Sequence, residues 1–215
     1  MTDNLSTRPQ SIESKEYIRE DSVRQRIISR ARQQFFALGF RSVTMDDIAK
    51  ELGMSKKTLY AHFPSKAALL EAVFLNKFHE VEGELEQITS ECSSDFLASM
   101  RQLLACVQRH MEELQPPFMR DMRRWGMQIF ELVESRRKDL IHHYFGKLLV
   151  EGRRAGIIRK DVPTKIVIEV LFGAIQAIMN PGKLAELGIA PKTGFSAINE
   201  VVFKGVMTEK GRSKL

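Results

Sequence analysis

Cysteine is scarce in this chain of 215 residues, which has only Cys92 and Cys106. The two are far apart, and neither lies in a CxxC motif or in a Cys/His motif of the zinc-binding kind. We therefore expect neither a disulfide framework nor a metal site, and the scarcity is typical of a protein from a reducing compartment.

Long hydrophobic runs are also lacking. The longest apolar stretch, residues 166–179, is interrupted by Glu169 and Gln176 and is too short to span a bilayer. Residues 1–21 are polar and include acidic side chains, unlike a signal peptide. These absences predict a cytoplasmic protein that has no membrane partner.

Motifs of the common enzyme classes are missing as well. The sequence has no glycine-rich phosphate loop, no HExxH and no GxSxG. His142 and His143 are adjacent, so on a helix they face different directions and make a poor metal-binding pair. We expect no catalytic site, and no cofactor or metal ion.

Helical periodicity dominates what is present. Apolar residues recur at helical spacing in every periodic segment, and no strand-like alternation appears. This pattern predicts an all-α fold of about nine helices. We expect a mobile tail over residues 1–21, a helix-turn-helix domain over 22–66, and a helical effector-binding and dimerisation domain over 67–215.

The segment from residue 44 to residue 66 predicts two short helices joined by a tight turn. Thr44 is suited to cap the first helix, whose N-terminus the carboxylate of Asp47 would stabilise. Gly53 ends that helix because glycine adopts a positive φ without strain. Ser55 can cap the second helix, which Pro64 ends.

The second of these helices has an outer face suited to DNA. Leu59 and Phe63 are four residues apart and are expected to point into the core. The remaining positions are basic, hydroxylic or aromatic. In a helix-turn-helix the second helix enters the major groove through its N-terminal residues.

The distribution of charge supports this interpretation. Residues 22–66 contain nine basic and three acidic residues, a net charge of +6. Residues 1–21 carry −2 and residues 67–215 carry +2. The positive excess therefore lies on the segment that would neutralise DNA phosphates.

This segment resembles the DNA-binding domain of TetR-type (tetracycline-repressor-like) transcriptional regulators over about residues 22–75. The resemblance implies that Thr44, Tyr60 and Lys66 contact phosphates. The candidate DNA-binding residues are Arg41, Thr44, Lys56, Lys57, Thr58, Tyr60, His62 and Lys66. Packing against the neighbouring helix is as good a hypothesis for His62, and a solvated loop position is as good for Arg41.

The resemblance further implies a pocket for a small effector within residues 95–160. Methionine and aromatic residues cluster after Pro116-Pro117, which favours a mainly apolar effector. The candidates are Met100, His110, Phe118, Met119, Met122, Trp125, Phe130 and Tyr144. Ordinary core packing is the alternative for each of them.

The helix expected over residues 164–179 is apolar on nearly all sides, so it requires burial on all sides. A partner subunit is the simplest way to provide this, and in TetR-type regulators the last two helices of each subunit form a four-helix bundle. The predicted dimer contacts are Val167, Val170, Leu171, Ala174, Ile175, Ile178, Val201, Val202 and Val206. A homodimer would bind half-sites about 34–36 Å apart, or a multiple of that distance.

These patterns together predict a sequence-specific, DNA-binding transcriptional regulator. We expect a homodimeric repressor that leaves a palindromic operator in double-stranded DNA when a small-molecule effector binds. One alternative is a ligand-independent or architectural DNA-binding protein. Another is a dimeric scaffold that binds small molecules without operator specificity.

Overall fold

The computed structural model describes residues 10–90, 95–124 and 127–213, and the side chains among them except those of 10–20 and 123–130. This part of the chain is helical and contains no strand, so the all-α prediction is confirmed. An isolated bridge joins Ile158 to Met207. Twelve α-helices and one π-helical segment are present in the described ranges, more than the nine expected.

The N-terminal half begins with a long helix, two short helices and a second long helix. These are α1 (Gln10–Leu38), α2 (Met45–Glu51), α3 (Lys56–His62) and α4 (Lys66–Ser90). They are followed by α5 (Phe96–Glu112), α6 (Pro116–Arg124) and α7 (Met127–Leu140).

The π-helical segment (Ile141–Phe145) connects α7 directly to α8 (Gly146–Arg154). The C-terminal helices are α9 (Thr164–Ile178), α10 (Pro181–Leu187), α11 (Pro191–Val206) and α12 (Glu209–Arg212). No single helix in the described ranges is long and apolar enough to cross a membrane. Only α9 and α10 taken together have the length and composition, and they meet at an 80° bend.

The first helix begins earlier than the sequence indicates. We expected a mobile tail over residues 1–21, but α1 already begins at Gln10. Residues 10–21 are therefore helical, and residues 1–9 lie outside the described ranges. Residues 10–21 are rich in glutamate, lysine and arginine, which favour helix without giving an apolar stripe.

Two hydrophobic cores lie along the molecule, and α4 contributes to both. The N-terminal core contains Phe35 of α1, Ile48 of α2, Leu59 of α3 and Phe74 of α4. The second core contains the far end of α4 together with α5, the π-helical segment, α8, α9 and α11. Because α4 is shared, movement of this helix in one core must be accommodated in the other.

Helix α6 joins the N-terminal core although it lies within the expected 67–215 domain. The ring of Phe118 is 4.9 Å from that of Phe36 and 5.8 Å from that of Phe74. The backbone N–H of Gln115 donates to the carbonyl oxygen of Phe36 at 3.1 Å. The expected domain boundary at residue 66 therefore marks the end of the helix-turn-helix, but the hydrophobic packing of the N-terminal core continues across it.

Candidate nucleic-acid interface

The helix-turn-helix is held by its own caps and by the N-terminal core. Thr44 and Asp47 form a capping box at the start of α2, in which each side chain accepts from the other's backbone N–H. Gly53 has a φ of 64°, which allows the turn, and the Ser55 hydroxyl caps α3 by accepting from the N–H of Thr58 at 3.1 Å. Leu59 is buried in the core, so the opposite side of α3 faces outward.

The N-terminal end of α3 presents the predicted base-reading residues. Lys56, Lys57 and Thr58 are all exposed. Lys56 forms an ion pair with Asp46 of α2, whose carboxylate raises the pKa of the lysine. The hydroxyls of Ser55 and Thr58 are 2.8 Å apart. These groups are placed where a major groove would meet the helix, which is what base recognition requires.

The three residues expected to contact phosphates differ in their surroundings. Tyr60 is exposed over 47% of its surface. The Thr44 hydroxyl donates to Asp47 Oδ2 at 2.6 Å, so its proton is already used within the capping box. The Lys66 ammonium lies 4.4 Å from the centre of the Phe40 ring. Partial burial lowers the pKa of Lys66.

His62 and Arg41 remain compatible with both of the interpretations that the sequence allows. His62 is half-buried, between the packing and the DNA-contacting alternatives. Arg41 is exposed, and its backbone N–H donates to Asp121 Oδ2 of α6 at 2.8 Å. The sequence argument did not single out Asp121, which ties the loop before α2 to the C-terminal part of the chain.

A network of ion pairs connects α1 to α4 and to Glu113, which follows α5. The Arg32 guanidinium of α1 donates to both carboxylate oxygens of Glu113, at 2.5 and 2.7 Å. It also pairs with Glu80 of α4, and Lys77 of α4 pairs with Glu113. Burial raises the pKa of Glu113, but the bonds from Arg32 and Lys77 outweigh it and hold that pKa below its ordinary value.

In the structure, the residues predicted to bind an effector lie in different parts of the fold. Met100 is buried in the second core and Phe118 in the N-terminal core, so both are packing residues. Met122 packs against the N-terminal core, Met119 is half-buried, and His110 contacts Glu84. Trp125 lies outside the described residues, as does the side chain of Phe130.

One of the predicted effector residues, Tyr144, lines a cavity. It has a volume of about 710 Å³ and lies between α4, α7 and the π-helical segment. Its apolar lining comes from Leu75, Phe78, Leu140 and Tyr144. Its other lining residues are polar or charged: His79, Glu82, Arg136, Asp139, His142 and His143. Burial raises the pKa of Tyr144 to about 12, so its hydroxyl keeps its proton.

The predicted dimer residues divide into two groups. Val167, Leu171, Ile175, Val202 and Val206 are buried within the chain's own second core, which leaves little of their surface for a partner. Ala174 and Ile178 are half-buried against the same core. Val170 and Val201 are exposed, over 55% and 74% of their surfaces. The sequence alone does not separate these groups, because a helix that is apolar all round shows no difference between the face toward its own chain and the outward face.

The exposed positions form one stripe on each of the two helices. On α9 the stripe comprises Ile166, Val170, Gly173 and Ala177, which are all exposed and spaced at helical intervals. On α11 it comprises Ala197, Val201 and Gly205. A Cβ added at Gly173 or Gly205 would meet no atom within 4 Å, so these positions are open on the outside.

Comparison with known proteins agrees with the helix-turn-helix. Residues 27–73 match the family described as bacterial regulatory proteins, tetR family. The chain is 25% identical over 169 residues to YvaF, an uncharacterised HTH-type transcriptional regulator of Bacillus subtilis, covering 79% of this chain and 88% of YvaF. It is 37% identical over 82 residues to the HTH-type transcriptional regulator TtgR of Pseudomonas putida, covering 38% and 39% of the two chains.

Solved structures share the fold along most of the chain. A transcriptional regulator from Cytophaga hutchinsonii superposes with a TM-score of 0.68 at 19% identity, covering 85% of this chain and 97% of the other. A regulator from Saccharomonospora viridis, solved in complex with choline, gives 0.66 at 18% identity and covers 88% and 100%. At these identities the likeness establishes the fold alone.

Proposed function

We propose that the chain is a DNA-binding transcriptional regulator of the tetR family and that it acts as a homodimeric repressor of a partly palindromic operator. Binding of a small effector in the regulatory domain releases it. The observation that carries the proposal is the outward-facing N-terminal end of α3, where Lys56, Lys57 and Thr58 are exposed on the most basic segment of the chain.

Recognition divides between bases and phosphates. Lys57 and Thr58 reach base edges, since they lie in the first turn of α3 and face outward. Lys56 must exchange its ion pair with Asp46 for a DNA contact, and this exposed pair is readily given up. Tyr60, Lys66 and Arg41 contact phosphates, and Thr44 does so by exchanging its hydroxyl bond to Asp47 for one to a phosphate oxygen. The capping box of Thr44 and Asp47 fixes the start of α2, and with it the position of Thr44.

Dimerisation uses the exposed stripes of α9 and α11. Isolated exposed apolar residues are common, but two adjacent stripes with open glycines allow close approach of a second pair of helices. Two copies of this surface, related by a twofold axis, form a four-helix bundle. The two α3 helices then bind successive major-groove segments.

The effector binds in the cavity between α4, α7 and the π-helical segment. This cavity is large enough for a small ligand, and its charged lining favours one with polar groups over the mainly apolar effector expected from the sequence. Leu75 and Phe78 of α4 line it, while Phe74 of the same helix packs in the N-terminal core. A ligand that moves α4 would therefore move the DNA-binding helices.

Alanine substitution at Tyr60 and at Lys66 tests the contact assignment. Each variant is expected to bind the duplex selected by the wild-type protein at least about tenfold more weakly, since each loses one phosphate contact. Light scattering should show the same dimer as the wild type. Lys183→Ala, on α10, removes a lysine far from α3 and serves as the matched control. Wild-type affinity in both Tyr60→Ala and Lys66→Ala would contradict the assignment.

A further inference from the structure

Three potential metal ligands converge between α4 and α5. They are Glu84 of α4 and Cys106 and His110 of α5, and one ligand atom from each lies within 4.8 Å of the other two. Cys106 Sγ is 3.3 Å from Glu84 Oε2, and His110 Nε2 is 3.2 Å from Glu84 Oε1. The sequence argument against a metal site overlooked the fact that Cys106 and His110 are one helical turn apart.

The spacing suits a tetrahedral transition-metal ion. Zinc binds cysteine sulfur at about 2.3 Å and histidine nitrogen or carboxylate oxygen at about 2.0–2.2 Å. Neighbouring ligand atoms in a tetrahedron of these bond lengths are about 3.3–3.6 Å apart. The Cys106–Glu84 and His110–Glu84 distances are already of this size, each measured to a different oxygen of the carboxylate, and one ligand atom from each residue lies within 4.8 Å of the other two. Side-chain rotation that brings the three atoms onto one ion completes the site.

We propose that Glu84, Cys106 and His110 form a binding site for a divalent transition-metal ion of the Zn²⁺ class. Thiolate, imidazole and carboxylate are the ligands that zinc prefers, and together they exclude Mg²⁺ and Ca²⁺ as the preferred occupants. The side chain of Glu84 is 34% exposed, which provides a route for the ion and leaves the fourth position to water. The charges of the carboxylate and the thiolate balance that of the ion.

The surroundings of Cys106 determine its protonation before and after a metal ion binds. Burial, with the adjacent Glu84 carboxylate, raises the pKa of Cys106 to about 12, so the metal-free site holds a thiol. Binding releases the thiol proton to solvent, because the metal ligand is the thiolate. Arg109 currently pairs with Glu84. Its side chain is largely exposed and can leave the carboxylate at little cost.

Binding would also alter the contact between the site and Lys77. The Lys77 ammonium lies 3.4 Å from His110 Nδ1. When Nε2 of a neutral histidine binds a metal ion, Nδ1 carries the proton and can no longer accept from the ammonium. Lys77 would then keep its ion pair with Glu113, which also holds Arg32 of α1. The proposed site therefore adjoins the ionic network that connects α4 and α5 to the DNA-binding domain.

Cobalt substitution in the full-length protein tests the proposal directly. After treatment with a chelator, the protein is titrated with Co²⁺ and then with Zn²⁺. We expect one Co²⁺ per chain, a thiolate-to-cobalt charge-transfer band, the visible bands of tetrahedral cobalt, and displacement by Zn²⁺. Cys106→Ser should abolish the charge-transfer band and weaken Zn²⁺ binding by more than about tenfold. Cys92→Ser, which removes the other cysteine, should leave both unchanged.

Glu84→Gln provides an independent test because it preserves size and lies at the partly exposed edge of the cluster. It should weaken Zn²⁺ binding while the thermal unfolding temperature of the metal-free protein stays within a few degrees of wild type. The proposal is overturned if the wild-type protein shows no thiolate band at stoichiometric Co²⁺. It is also overturned if Cys106→Ser retains that band, or if Glu84→Gln binds Zn²⁺ as the wild type does. These measurements use no DNA, so they are independent of operator binding.

Discussion

Thr44 shows how one residue can serve both folding and recognition. Its hydroxyl accepts from the Asp47 N–H at 3.1 Å and donates to the Asp47 carboxylate. These bonds satisfy backbone and side-chain groups at the start of α2, and they lower the pKa of Asp47. The same residue is a candidate phosphate contact, so its two roles must be separated by experiment.

Thr44→Ala is expected to lower the free energy of unfolding by about 1 kcal/mol, because it removes the N-cap of α2. Thr44→Ser keeps the hydroxyl and should restore nearly all of that stability. Urea unfolding followed by circular dichroism measures both variants. If Thr44→Ala unfolds at the same urea concentration as the wild type, the capping box does not stabilise this domain.

Among the secondary-structure elements, the connection of α1 to α4 and α5 depends on Glu113. Two basic side chains, Arg32 and Lys77, converge on this single carboxylate. Its pKa is lowered in the folded protein. A carboxylate with a lowered pKa contributes stability above its unfolded-state pKa, and this contribution is lost as the pH falls through the folded-state value.

Glu113→Gln should reduce the free energy of unfolding at neutral pH by about 1–2 kcal/mol, since two cations lose their shared partner and the site is partly exposed to solvent. The difference between wild type and variant should begin to shrink as the pH falls below about 4.3, the ordinary pKa of a glutamate in the unfolded chain, and it should disappear once the pH has passed the lowered pKa of the folded Glu113 carboxylate. Chemical denaturation at a series of pH values measures this. A difference that stays constant with pH would exclude an ionic contribution.

The helix boundaries that could be predicted depend on residues close to them in sequence. The bounds of α2 and α3 follow from Thr44, Gly53, Ser55 and Pro64, whose preferences act within one or two turns. Pro181 follows the apolar run of residues 166–179, and a proline in that place is also typical of a helix end, so it does not by itself indicate the start of α10. In the structure it occupies the first turn, with Asn180 as the cap.

Contacts between distant residues were not predictable in this way. Phe118 was assigned to an effector pocket because it lies near other soft side chains in sequence. The structure packs it against Phe36 and Phe74 instead. Periodicity shows that Val202 and Val201 belong to the same apolar helix, but only tertiary packing shows that the first is buried and the second exposed.

For the whole molecule, the proposed arrangement of two subunits rests on the exposed stripes of α9 and α11. Val201→Glu should leave the isolated subunit folded, because this side chain is 74% exposed there. In a dimer it would bring two carboxylates into an apolar contact, which is strongly unfavourable. Analytical ultracentrifugation should therefore find a monomer. Leu38→Glu, at another exposed apolar residue outside the stripes, should remain dimeric, and a dimeric Val201→Glu protein would place the interface elsewhere.

We propose above all that α3 reads a specific DNA sequence twice, once from each subunit. The most direct measurement is selection of bound duplexes from a random library by the full-length protein, followed by affinity measurement at rising salt. We predict one enriched, partly palindromic sequence with half-sites about 34–36 Å apart, or a multiple of that distance, preferred over competitor DNA at every salt concentration. No enriched sequence, with affinity falling equally for all duplexes as salt rises, would contradict the claim.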